Sequence, residues 1–142
     1  MPVTTIGKEF EYFIEDQLDA SGYNYESQVQ ASGINESWSE IDIVITYDES
    51  DTAEAVSLKY QGGPGSAEEK IPYEAESLSI MCKAHGYQRG TIVLAGEGWS
   101  KAKLYWFLYE YQPPANVRII SYDDFVRQYL TVRDIAINYA IN

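Results

Sequence analysis

A chain of 142 residues with 22 acidic and ten basic side chains, and a formal net charge of −12, has the size and balance of one folded domain. The acidic excess excludes nucleic-acid binding through a broad basic surface, because such binding needs phosphate neutralisation; a small positive site, or one supplied with cations, stays open. A single cysteine excludes an internal disulfide, a single histidine excludes a Cys/His zinc pattern, and no apolar run approaches the roughly twenty residues of a membrane span.

Thr5 to Ala20 reads as the first helix. Ile6, Phe10, Phe13, Ile14, Gln17 and Leu18 fall on one stripe, Thr4 or Thr5 can cap it, and Ser21-Gly22 ends it. Glu9, Glu15, Asp16 and Asp19 project toward solvent, whereas Glu11 lies on the border of the stripe, near Leu18 at about 100° per residue. It is the helix carboxylate best placed to look toward a sheet. Tyr23 to Gln30 alternates weakly, as a short strand or edge, and Ala31 to Glu40 reads as a loop.

The next stretch is the most informative. Ile41, Ile43 and Ile45 alternate with Asp42, Val44 and Thr46; after an acidic loop, Val56, Leu58 and Tyr60 alternate with Ser57, Lys59 and Gln61. Successive strand side chains point to opposite faces, so one face of this pair is expected to be apolar and the other to gather Asp42, Ser57, Lys59 and Gln61. A carboxylate and an ammonium group among β-branched residues cost desolvation energy unless paired or bound. They are site candidates, or else an ordinary ion pair on a wet face.

Gly62-Gly63-Pro64-Gly65 breaks the second strand, and Ser66 with Glu69 forms a capping box that opens a helix. Pro72 either ends its first turn or bends it, and Ala75, Leu78, Met81, Cys82 and Ala84 form the apolar face up to Gly86. Cys82 therefore reads as a core thiol. A glycine-rich turn before a helix resembles a phosphate cradle, but it is not a Walker A sequence, and Lys70 is not at the required spacing. Thr91 to Ala95 is a fully apolar strand, Lys101 to Tyr111 an aromatic helix stopped by Pro113-Pro114, and Val117 to Ser121 another strand. Asp123 onward is helical through Phe125, Val126, Tyr129 and Leu130, and Val132 to Tyr139 continues it or packs separately. The order α-β-β-β-α-β-α-β-α, without linker or repeat, predicts a single α/β domain over residues 1–142: a mixed β-sheet with helices on both faces. The N-terminus lacks a signal-peptide pattern, so a soluble, cytoplasmic protein of a prokaryotic or viral host cell, with no membrane partner, is expected.

With these elements in this order, the chain resembles the PD-(D/E)xK nuclease superfamily, the restriction-endonuclease-like fold. Gly7-Lys8-Glu9-Phe10-Glu11, followed by Leu18 and Gly22-Tyr23, looks like the first helix of archaeal Holliday-junction resolvases and related nucleases. Ile41-Asp42 stands where the family has its P-D pair, Ser57-Leu58-Lys59 where it has (D/E)-x-K, and Gln61 follows where many members carry a polar residue. The segment from Gly65 to Glu74 and the later Gly96-Glu97-Gly98-Trp99 look like restriction-enzyme-type members.

The resemblance implies magnesium-dependent hydrolysis of DNA phosphodiester bonds, with manganese as a substitute ion. Asp42 and the Leu58 carbonyl would bind the metal, Glu11 would hold a second metal or its waters, and Lys59 would orient or deprotonate the attacking water. Gln61 would position that water or a phosphate oxygen, and Lys70 is a candidate phosphate contact. Cutting both strands needs two active sites, so a homodimer is implied, with Tyr105 to Tyr111 as its interface or, equally, as a core helix.

Ser57 departs from the pattern, since a hydroxyl is a poor magnesium ligand. Either the carboxylate has migrated to Glu69, Glu74 or Glu76, with Glu40 a weaker choice, or Ser57 holds a water on the metal, or catalysis is lost. The readings are thus an endonuclease, a Holliday-junction resolvase, which the few basic residues disfavour, or a catalytically impaired nuclease-fold binding or assembly module. An acidic DNA mimic is the remaining option, and the clustering of carboxylates near a lysine counts against it.

Overall fold

Short β-branched runs and amphipathic helices assemble into a three-layer domain in the structure, a computed structural model that describes residues 3–34, 38–47, 52–65 and 67–129. In chain order the elements are α1 (Val3–Ala20), β1 (Asn24–Ser32), β2 (Trp38–Tyr47), β3 (Thr52–Tyr60), α2 (Ala67–His85), β4 (Arg89–Ala95), α3 (Lys101–Tyr105) continued by a π-helical segment (Trp106–Glu110), β5 (Val117–Ser121) and α4 (Tyr122–Tyr129). The expected cap Ser66, residues 48–51 of the expected acidic loop, Leu130 and the expected segment Val132–Tyr139 lie outside the described residues.

The five strands stand side by side in sequence order. β1–β2 and β2–β3 are antiparallel, and β3–β4 and β4–β5 are parallel, so the expected mixed sheet is what forms. Helix α2 provides the crossover from β3 to β4 that a parallel pair requires. One core lies between the sheet and α2, where Ile41, Val44, Ala55, Ile92 and Leu94 meet Ile71, Ala75, Leu78 and Cys82. The other lies beneath α1 and α4, where Ile43, Ile45, Val56, Leu58 and Val93 meet Ile14, Leu18 and Phe125. β4 thus buries both faces, as its unbroken apolar run predicts. Among the described residues no helix is long and apolar enough to cross a membrane.

Several local expectations change. β2 begins at Trp38, so Ser39 and Glu40 belong to the strand rather than to a loop. β3 begins at Thr52, which brings Glu54 into the sheet. α2 runs through Pro72 without ending, since a proline near the first turn gives up few helical hydrogen bonds. On α1, Phe10, Ile14 and Leu18 point inward at four-residue spacing, while Phe13, expected on the same stripe, is half exposed. Cys82 is the expected core thiol: fully buried, with burial pushing it up to about 11.

The largest correction concerns side-chain alternation in β2. Ile41 and Ile43, two residues apart, lie in opposite cores. The register explains this. Ser27 faces Ile43 and Val29 faces Ile41, but Gln28 and Asp42 between them drop out of the ladder. Gln28 has φ +55°, in the left-handed region that few residues other than glycine adopt. Both strands therefore kink together, and the faces invert at this point.

At the other end of β3, the loops after β3 and β4 pack backbone on backbone. Gln61 N–H donates to Ala95 O at 3.0 Å, and Gly98 N–H donates to Gln61 O at 2.7 Å. A Cβ on Gly96, whose φ is +96°, would collide with the backbone of Gln61. Gly96→Ala is accordingly expected to cost about 1–3 kcal/mol. The readout is a lower urea midpoint at unchanged m-value; an unchanged midpoint would show that the loop yields freely.

Candidate active site

β2 and β3 stay paired only as far as Ile43 opposite Val56. Beyond that pair β2 continues alongside β1, and β3 continues alongside β4 as far as Tyr60. The two strands part, and a cleft opens between them. Asp42 sits where they part. Its Oδ2 accepts the Leu58 backbone N–H at 2.6 Å, in place of a ladder bond. Burial pushes the Asp42 carboxyl up to about 6; the Leu58 N–H and the charges of Lys59 and Lys8 pull it down, and Glu11 pushes it further up. One hydrogen bond does not offset the lost hydration of this carboxylate.

Glu11 comes to Asp42 from α1. Its Oε2 accepts from Gln28 Nε2 at 3.0 Å and from Lys8 Nζ at 3.2 Å, and its side chain is only 17% exposed. The kink at Gln28 thus turns an amide donor onto the expected helix carboxylate, and sequence reasoning missed it. A lone strand glutamine carries no signal; its conformation is what matters.

Lys59 and Ser57 turn toward α2, where they line a pocket of about 500 Å³ with Glu40, Glu69, Lys70 and Glu74. Lys59 Nζ lies 2.9 Å from Glu74 Oε2. The ion pair is therefore with Glu74, not with Asp42 across the strands. That Glu74 oxygen is buried, yet it accepts no hydrogen bond of good angle. It is a carboxylate oxygen beside the lysine, on the pocket wall that Ser57 also lines. Glu69 stands on the same pocket wall, whereas Glu76 is exposed and does not line it.

Gln61 is buried, and its Nε2 donates to Gly98 O at 2.8 Å and to Glu68 Oε1 at 3.4 Å, while its Oε1 has no partner. It ties the loop that follows Lys59 to the loop that follows β4. Glu68 strengthens the tie by accepting the Ser100 backbone N–H at 2.6 Å. Lys70 is exposed at the pocket. His85 is exposed at the end of α2, stacked on Tyr87.

Among the described residues, no three His, Cys, Asp or Glu side chains converge closely enough to enclose a cation. The donor set fits a sparse oxygen site instead. Magnesium is commonly held by one or two carboxylates and keeps several waters. Asp42 with its partly offset burial, Glu11 beside it, the carbonyl of Leu58, and the Glu74 oxygen that meets only Lys59 have that chemistry.

The chain is similar in fold to a solved structure titled "Crystal Structure of Protein of Unknown Function AF1548", at 18% identity and a TM-score of 0.51. The alignment covers 80% of this chain and 56% of that one, so this chain spans little more than half of the neighbour's length. No curated protein matches the chain. The family model described as "PD-(D/E)XK nuclease superfamily domain" matches residues 4–132, from α1 to just beyond α4. Asp42 at the parting of β2 and β3, Lys59 two residues past Ser57, and Glu11 on the first helix therefore sit in a chain that belongs to the PD-(D/E)XK nuclease superfamily.

Proposed function

We propose that this chain is a divalent-metal-dependent DNA endonuclease whose centre is Asp42, Lys59 and Glu11, with Glu74 supplying the carboxylate that Ser57 lacks. The observation that carries this reading is the contact of 2.9 Å between Lys59 Nζ and the buried Oε2 of Glu74, which sets a carboxylate beside the lysine on the pocket wall that Ser57 shares. Nucleases of this superfamily generally use divalent metals. Asp42, the Leu58 carbonyl and Glu11 would hold magnesium, or manganese in its place, with Glu74 or Glu69 approaching from α2. When bound, the ion supplies Lewis-acid charge that activates water and offsets charge on the phosphate.

The chain's own groups have separable tasks. Lys59 keeps a cation at the phosphate and orients the attacking water; Glu74 holds the ammonium group in place until substrate arrives. Gln28 fixes Glu11 so that it faces Asp42. Ser57 can donate a hydrogen bond to a water at the cleft. Gln61 accepts a hydrogen bond from the water through its free Oε1, or reaches a phosphate oxygen only by releasing its Nε2 from Gly98 O and Glu68, and Lys70 adds a phosphate contact at the pocket rim. A homodimer in a cytoplasmic setting completes the proposal, since double-strand cutting needs two such sites. The exposed rings of Tyr105, Trp106 and Tyr109 offer a surface for it, while Phe107 between them is buried in the core.

The test is cleavage of supercoiled plasmid and of branched DNA with magnesium or manganese. Lys59→Ala should lower the rate by about 10²- to 10⁴-fold, the range of general acid–base contributions. Glu74→Gln should weaken metal dependence, and Glu76→Gln should not. Preference for branched DNA would point to a resolvase.

Ser57 favours a second reading, a nuclease-fold module that binds without cutting. No cutting by the wild-type protein on either substrate, together with no metal-induced change in stability, would favour that module.

A further inference from the structure

The pocket beside Lys59 has room for more than a phosphate. Its floor is apolar, formed by Ile41, Leu78 and Met81, all buried. Its walls carry the carboxylates of Glu40, Glu69 and Glu74, against Lys59 and Lys70, so acids outnumber bases. Lys59 is already matched by Glu74. The phosphate and metal of the reading above would engage Lys59, Lys70 and Glu74 and leave the apolar floor and the Glu40 carboxylate uncovered. A flat, neutral ring with N–H groups on its edge would meet apolar surface and hydrogen-bond acceptors, as carboxylates accept from exocyclic base amines. Tyr73 lines the same pocket and is 60% exposed, so its ring is accessible to a base. The volume of about 500 Å³ lies within the usual span of small-ligand pockets.

Resting on the nuclease reading above, we infer that the substrate presents an unpaired nucleotide to the cleft, its base entering the α2 pocket against Tyr73 while its phosphate stays at Lys59. A paired base cannot reach this space without leaving the stack, and that cost is least where the strand is already single, bulged or mismatched. The acidic surface, with a net charge of −12, agrees: a protein that gains little by tracking duplex phosphates must draw selectivity from another contact. Stacking on an aromatic ring is such a contact, and it tolerates any base.

The experiment uses the whole chain and DNA carrying one 2-aminopurine, either in a single-nucleotide bulge or in the matched duplex. Calcium replaces magnesium so that binding is read without cutting. The wild-type protein should quench the bulged probe and bind it at least about tenfold more tightly than the duplex. Tyr73→Ala should lose about tenfold in affinity for the bulge, as expected for one lost base stack, with duplex binding unchanged; Tyr73→Trp should keep it. Because Tyr73 is exposed, none of these variants disturbs the core. Equal affinity for bulge and duplex, or indifference to Tyr73→Ala, would overturn the inference, and plasmid cutting in magnesium would then leave the nuclease reading standing. Quenching that depends on Tyr73, without cutting of any DNA in magnesium, would uphold the base pocket and bring down the nuclease reading.

Discussion

Asp42→Asn is expected to abolish metal-dependent cleavage and, in the same protein, to raise folding stability above pH 6. The two effects have one cause. Burial raises the Asp42 carboxyl to about 6, above the roughly 3.9 of an unfolded chain, despite help from the Leu58 N–H and Lys59. Below pH 4 the group is protonated in both states and the fold carries no penalty. Between pH 4 and 6 the unfolded chain releases its proton while the folded chain holds it, so stability falls as pH rises. Above pH 6 the loss is complete, at about 3 kcal/mol for a shift of about two units.

Asparagine removes the charge and keeps an oxygen to accept the Leu58 N–H. Urea unfolding at pH 8 without metal should therefore show a gain of about 2–3 kcal/mol for the variant, shrinking to nothing near pH 3.5. Magnesium should stabilise the wild type and not the variant. Activity should drop by about three orders of magnitude, the scale of several kcal/mol of lost metal-assisted stabilisation. A variant that is less stable at pH 8, or a difference that ignores pH, would make Asp42 part of the scaffold rather than of a site.

The sequence carries much of this centre, because two of its signals are local. Asp42 and Lys59 stand out as charges within apolar strand runs, and Glu11 stands out by its angle on α1. The element order and the bounds of β5 are equally legible, since periodicity and the flanking Pro and Gly residues set them. What is not legible depends on conformation or on distance along the chain. The inversion at Asp42 comes from the backbone of Gln28, fourteen residues upstream and brought opposite it only by the pairs on either side. The Lys59–Glu74 contact joins a strand to a helix whose rotation nothing local fixes, so three carboxylates stay equivalent until the helix is placed. The π-helical segment Trp106–Glu110 has an ordinary helical pattern, yet it buries Phe107 and exposes Tyr109.

The same limit hid Glu54, which reads as part of an acidic loop and is in fact 2% exposed inside β3. Glu54→Ala is expected to cost about 3–5 kcal/mol, the range for removing one member of a buried ionic group. The parallel register sets Arg89 directly across from Glu54, and Thr91 across from Arg118. Glu54 Oε2 consequently accepts from Arg89 Nε at 2.6 Å and from Thr91 Oγ1 at 2.8 Å, with Arg118 Nη2 at 3.5 Å; Tyr47 donates to Oε1 at 3.1 Å. Arg89 is 45% exposed and can return to water. Arg118, 23% exposed, cannot do so as easily: burial pulls its guanidinium down, and the charge of Glu54 holds it up. Removing Glu54 leaves that cation without its counter-charge and the Thr91 hydroxyl without its acceptor, although Arg118 keeps Thr91 Oγ1 and Tyr129, and Tyr47 keeps Tyr129.

Glu54→Gln keeps the shape and loses the charge, so it should fall between wild type and Glu54→Ala in urea midpoint. Lys59 lies five residues further along β3, about 17 Å away at 3.3–3.4 Å per residue. Cleavage per folded molecule should therefore match the wild type in both variants, measured well below their melting temperatures. A loss of activity without a loss of stability would place this carboxylate in the chemistry instead, and would make the far end of β3 a second functional centre.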